Sequence, residues 1–278
     1  MKKSISLIIV LSFLIQRSLF CQVNLSQTSR NLEGMFSRIR ENLSTEQKLK
    51  INDSIRLLVD RYTESDSIFR HKFNNLRFLG QITSPDSLVK IITWNLILET
   101  GDNRYFCYFI KKGYRNSSNS IFKLSGLYSE KPVRSDTLYS DSNWYGALYY
   151  EIRPFKSAGP ETCYILLGID YGNSFVTRKI IDVLTFGPDH NLVFGKKCFT
   201  DGKITRQRVV FEYSTKVVMS LRFLNDKSIV FDHLSSSSPE FRDNHQFWGP
   251  DFTFDSYNLE NGFWKLNSNV DVRIERNK

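Results

Sequence analysis

The sequence predicts an α+β protein: an N-terminal helical segment followed by a mainly antiparallel β sandwich or curled barrel. Three observations carry this prediction. Apolar residues recur at spacings of three and four between residues 24 and 79. From Leu88 onward the period switches to two, and turn residues (Gly, Asn, Asp) punctuate the chain every ten residues or so. Helices and strands impose those two periods because side chains return to one face every 3.6 and every 2 residues.

In the helical segment, Leu32, Met35, Phe36, Ile39 and Leu43 form one apolar stripe. Ser44, with Gln47 three residues later, resembles a capping box and should open a second helix. That helix carries Ile51, Ile55, Leu58, Val59 and Tyr62 inward. Ile68, Phe69, Phe73, Leu76 and Leu79 read as a further short helix or a packed arm, and Pro85-Asp86 ends the pattern. Residues 22–86 are therefore expected to pack on a β domain spanning 87–278, since short helices alone are marginal in water.

Along the β domain, Ile92, Trp94, Leu96 and Leu98 alternate with Val89, Ile91, Thr93 and Asn95. Gly101-Asp102-Asn103 turns the chain into Tyr105 to Ile110. Trp144 to Ile152, Tyr164 to Ile169, Phe175 to Phe186, Arg208 to Tyr213, Lys216 to Leu224 and Ser228 to Leu234 read as further strands. Within Phe175 to Phe186, period alone leaves open a helical turn at Arg178 to Leu184. Gly187-Pro188-Asp189 and Asp201-Gly202 mark turns, while Ser117 to Ser120 and Ser235 to Ser238 read as exposed loops. Phe252 to Leu259 and Phe263 to Leu266 flank Asn261-Gly262, the dipeptide that suits a type I′ hairpin.

Residues 1–21 read as an export signal rather than as part of the fold. Lys2 and Lys3 precede an apolar run from Ile5 to Ile15, and a short segment ends at Cys21-Gln22. The run is too short for a bilayer, which takes about 20 residues of helix, and no second apolar run of that length follows. The mature chain is expected to begin at Gln22 and to be periplasmic or secreted. A lipoprotein acylated at Cys21 is the alternative, against which stands the bulky Phe20.

Losing Lys2, Lys3 and Arg17 with no acid lowers the net charge from +9 to +6. The remaining lysines and arginines are scattered, and pairs such as Lys111-Lys112 are too short to track phosphates, so nucleic acid is not an expected partner. Cys107, Cys163 and Cys198 have apolar neighbours and no CxxC spacing, and read as small buried hydrophobes.

No G-x-S-x-G, phosphate loop, H-x-H or H-E-x-x-H is present, so neither a cofactor nor a metal is expected. Of the four histidines, His71 and His190 read as solvated surface residues. His233 and His245 sit in the one stretch dense in polar and aromatic groups. There Asp232, His233, His245, Trp248 and Asp251 are the candidate ligand-binding residues, with Trp248 placed in a Trp-Gly-Pro-Asp turn beyond the end of a strand. Carboxylate pairs for glycoside hydrolysis can come from anywhere in a chain, and spacing does not reveal them.

Several phrases recur in a set order: Thr83-Ser84-Pro85-Asp86 before Ile91-Ile92-Thr93-Trp94-Asn95, then Trp144-Tyr145-Gly146-Ala147-Leu148-Tyr149-Tyr150, Leu166-Leu167-Gly168, Arg178-Lys179-Ile180-Ile181 and Val210-Phe211-Glu212-Tyr213-Ser214. They end with Ile229-Val230-Phe231-Asp232-His233-Leu234, Phe247-Trp248-Gly249-Pro250-Asp251 and Asp271-Val272-Arg273. In this order the chain resembles a family of exported Bacteroidota proteins of unknown function. The resemblance implies export and one continuous unit from about Thr83 to Arg273, and it implies no activity. The leading expectation is a non-enzymatic exported protein that binds a ligand or partner or serves the envelope. The alternative is a hydrolase acting on an envelope or extracellular polymer.

Overall fold

The computed structural model describes residues 24–115, 117–129, 131, 133–157, 159, 161–187 and 191–272. The leader, the turn at Pro188-Asp189 with His190, and Arg273 lie outside the described residues. Contacts divide the chain between Leu76 and Arg77.

Among the described residues the first unit holds two helices, α1 (Leu25–Arg38) and α2 (Thr45–Thr63). The Asn24 side chain accepts the Gln27 amide at the start of α1. The capping box at α2 is present in both directions. The Gln47 amide donates to Ser44 Oγ at 3.2 Å, and the Ser44 amide donates to Gln47 Oε1 at 3.0 Å, which satisfies donors that a helix start leaves open. Leu32, Phe36, Ile39, Ile55, Val59 and Tyr62 are buried, as the stripes require. The stretch after α2 is a run of turns rather than a helix. It packs as an arm: Tyr62 Oη donates to the His71 carbonyl at 2.7 Å, and the Phe73 ring lies 4.5 Å from that of Tyr62 and 4.7 Å from that of His71. His71 is thus a packing residue rather than a solvated one.

Among its described residues the second unit is built from three sheets. The first joins β1 (Gly80–Thr83), β2 (Val89–Ile97), β3 (Asn103–Lys111) and β4 (Ser120–Leu127) in that order, all antiparallel. The central sheet runs β5 (Tyr139–Ser140), β9 (Leu192–Phe194), β8 (Val176–Phe186), β7 (Thr162–Asp170), β6 (Leu148–Lys156), and β12 (Val209–Ser214) pairs with the far end of β8. The third runs β11 (Thr205–Arg206), β10 (Phe199–Thr200), β16 (Phe263–Asn267), β15 (Trp248–Glu260), β14 (Ser228–Ser236), β13 (Leu221–Asn225). Pairing is antiparallel except between β10 and β16.

Two apolar cores share the central sheet as a common wall. On one face Tyr164, Leu166, Ile180 and Leu184 pack with Val89, Ile91, Tyr105 and Phe109 of the first sheet. On the other face Cys163, Ile165, Leu167, Ile181 and Val183 pack with Phe199, Leu221, Ile229, Phe231, Tyr257 and Trp264 of the third. Each fully buried Ile or Leu contributes about 1.5–3 kcal/mol. Successive residues of β7 and β8 thus feed alternate cores, which is why these strands read as near-continuous apolar runs. Val176–Phe186 is strand throughout, so the helical turn left open at Arg178 to Leu184 does not form. Trp144 to Ala147 precede β6 rather than belonging to it. There Gly146 adopts φ +85° while Gly126 packs against it so closely that a Cβ on Gly126 would lie 2.7 Å from the Gly146 Cα. The Asn261-Gly262 turn has both residues at positive φ, as type I′ requires.

A fully buried ion pair sits within the central wall. Asp182, fully buried on β8, accepts Arg208 Nε at 2.9 Å and Tyr145 Oη at 2.8 Å. Arg208 is itself fully buried and donates to the carbonyls of Arg134, Thr137 and Phe194. Burial pushes the Asp182 carboxyl up, and the Arg208 guanidinium opposes that shift. Removing one partner leaves an uncompensated buried charge. Arg208→Leu is therefore expected to destabilise the chain by about 3–5 kcal/mol in urea unfolding, and a loss below 1 kcal/mol would show that the pair is solvated.

Candidate functional site

The loop between β14 and β15 is folded rather than open. It consists of two short 3-10 turns, η1 (Pro239–Phe241) and η2 (His245–Phe247), closed where the Ser237 amide donates to the Phe247 carbonyl at 2.9 Å. The Phe241 and Phe247 rings stack at 4.1 Å. Trp248 Nε1 donates to the carbonyls of Phe241 and Arg242 at 3.3 and 3.1 Å, so the indole ties the end of η1 to the start of β15.

Two sequence expectations are corrected here. Trp248 does not lie in a turn: it is the first residue of β15 and pairs with Ser236, and Gly249 and Pro250 pair with Ser235 and Leu234. Pro250 is tolerated because β16 pairs only with residues 256–260, so this part of β15 has one strand neighbour and its missing N–H faces the free side. Ser235 and Ser236, read as exposed loop, belong to β14.

The five candidate residues separate into two groups. Asp232, His233 and Asp251 gather at a β-bulge. Between the pairs Asp232↔Phe254 and Leu234↔Pro250, His233 alone faces Asp251, Phe252 and Thr253. Each carboxylate there is engaged. Asp232 Oδ2 accepts the Ser220 amide at 2.6 Å, clamping the preceding connection onto β14. Asp251 Oδ1 accepts the Thr253 hydroxyl at 2.7 Å and amide at 3.0 Å, which holds its carboxyl below the ordinary value. Asp255, buried beside them, bonds His233 Nδ1 at 2.7 Å and the Asn269 amide at 2.9 Å. At the centre of the bulge Phe252 holds φ +70° and is 93 % exposed, a conformation rare for a bulky residue.

His245 and Trp248 form the second group, His245 in the last turn of the loop and Trp248 at the start of β15. The imidazole meets the indole edge-on at 5.3 Å, and its Nδ1 lies 3.1 Å from Glu212 Oε2 on β12. Glu212 also accepts Arg178 Nε at 2.6 Å, and Arg178 Nη1 reaches Asp170 at 3.3 Å and the Ser129 carbonyl at 2.9 Å. Tyr105 Oη then donates to Asp170 at 2.7 Å. A chain of polar contacts thus runs from a tyrosine buried in the first core to the loop. Glu212 and Arg178 were not singled out from sequence. They pair across β12 and β8, and that register is a long-range fact with no local signal.

The loop separates two hollows. One, of about 320 Å³, is lined by His245 and Glu212 with Arg206, Arg208, Val210 and Tyr257. The other, of about 330 Å³, is lined by Gln246, Phe247 and Trp248 together with Ser235, Ser237 and Lys216. No group of three or more His, Cys, Asp or Glu side chains arranged to hold a metal ion occurs among the described residues. No helix among them is long and apolar enough to cross a membrane. In comparison with known proteins, no family model, curated protein or solved structure matches the chain.

The His233–Asp255 contact sets a pH dependence. The hydrogen bond to Asp255 raises the His233 pKa above its ordinary 6.5. A raised folded-state pKa stabilises the fold at pH values below the unfolded pKa, and that contribution fades as pH rises through the folded one. An NMR titration is expected to place His233 above 6.5, returning towards it in Asp255→Asn. An unshifted titration in the wild-type chain would remove the pair from solution.

Proposed function

We propose that this is an exported, non-enzymatic protein that binds a ligand beside the β14–β15 loop. The reading of Met1–Cys21 as a cleaved leader supports export to the periplasm or beyond, as does the resemblance to exported Bacteroidota proteins. The observation that carries the binding reading is the pairing of immobilised rings with unused polar groups. Phe247 is 39 % exposed yet stacked on Phe241, and Trp248 is held through its Nε1–H, so both present a surface without further ordering. Beside them the side-chain hydroxyls of Ser235 and Ser237 and the side-chain amide of Gln246 have no hydrogen-bond partner among the described residues. Three carboxylates beside the loop are, by contrast, occupied: Glu212 by Arg178 and His245, Asp232 by a backbone amide, Asp251 by Thr253. Groups held this way position backbone; a hydrolase needs them poised on a substrate.

A thermal-shift screen of the mature chain against soluble envelope components tests this. A true ligand at 100 times its Kd adds about 2.7 kcal/mol, perturbs the amides of residues 235–237 and 246–248, and is recovered intact by mass spectrometry. Recovery of the ligand cleaved, or perturbation confined to another surface, would contradict the proposal.

A further inference from the structure

Resting on that binding reading, we infer that the hollow beside Trp248 takes a neutral saccharide of one or two rings. The lining decides the class. Its one charged residue is Lys216, and no acid lines it, so neither a divalent cation nor a polyanion finds matching charge. A peptide adding as a strand needs a continuous row of N–H and C=O groups. The adjoining edge of β15 carries Pro250, which has no N–H, and then a bulge at Phe252 that turns the strand. What remains is a ligand offering hydroxyls and flat C–H faces together.

The two halves of that chemistry are both present. Serine hydroxyls donate and accept, and a glutamine amide does both through separate atoms. Ser235, Ser237 and Gln246 therefore match adjacent sugar hydroxyls, which likewise donate and accept. Phe247 and Trp248 line the same hollow and supply aromatic surface for the C–H side of a pyranose ring. A ring sugar has few internal freedoms, and the rings that meet it are already fixed by Phe241 and by the carbonyls of Phe241 and Arg242. Little entropy is lost by either partner on binding. The volume of about 330 Å³ lies at the small end of ligand sites, which start at about 300 Å³.

The probe is a panel of neutral disaccharides (cellobiose, maltose, mannobiose and diacetylchitobiose) titrated into the isotope-labelled mature chain, with benzyl alcohol and inorganic phosphate as separate arms. At least one disaccharide is expected to shift the Trp248 indole N–H and the amides of Gln246 and Phe247. Gln246→Ala should weaken it about 3- to 10-fold, the effect of one or more unmade hydrogen bonds. The melting temperature should hold, because the Gln246 side chain has no intramolecular bond to lose. If benzyl alcohol or phosphate shifts these signals and no disaccharide does, the saccharide assignment is overturned while binding at the hollow stands. If no probe shifts them, both fall.

Discussion

The β unit depends on one constraint: the central sheet is buried on both faces. β7 and β8 deliver alternate residues to two cores, Leu166 and Ile180 to one, Ile165 and Ile181 to the other. Sheets that serve only one core can tolerate polar residues on the outer side; this one cannot. Its buried acids are accordingly matched rather than left to water: Asp182 by Arg208 and Tyr145, Asp170 by Arg178 and Tyr105. The same strand that contributes to the wall also organises its edges. β9 and β12 share one side of β8, and β12 starts just after Arg208 and reaches Glu212 beneath the loop.

That arrangement links the core to the candidate site. Arg178 on β8 stands directly across from Glu212 on β12, and Glu212 meets His245. The loop is therefore fastened from two directions. Trp248 Nε1 holds its backbone, and the His245–Glu212 contact anchors it to the central sheet. A rigid loop with half-exposed rings suits recognition by preformed shape, whereas a mobile one would lose affinity to ordering.

Much of the fold was legible in the chain because it is locally encoded. The Ser44–Gln47 capping box and the Asn261-Gly262 turn each involve residues within a few positions of one another, and both form as read. The alternation of Val89 and Ile91 with Ile92 and Trp94 also survives: the first pair packs with Tyr105 and Phe109, while Trp94 of the second stacks on Phe106 and Tyr108. Where reading failed, a local signal conflicted with a distant one. Val176–Phe186 lost its period-two signature because both its faces are apolar. Gly249-Pro250 looked like a turn because proline is excluded from paired ladders, and only the absence of a second neighbour strand admits it here. His233 and His245, close in sequence, take different carboxylates because a bulge and a folded loop separate them. Glu212, Gln246 and the free hydroxyls of Ser235 and Ser237 could not be ranked, since whether a polar group is already satisfied is a property of the fold.

Native-state hydrogen exchange measures the central claim most directly. If the central sheet is the shared wall of both cores, the amides of Ile165–Leu167 and Ile180–Val183 exchange only when the whole β unit unfolds, with the largest opening free energy in the chain. Residues of the first and third sheets should approach that value without exceeding it. Exchange of the β7 and β8 amides at lower free energy than those of β3 or β15 would contradict the account, because one outer sheet could then stay folded without the wall.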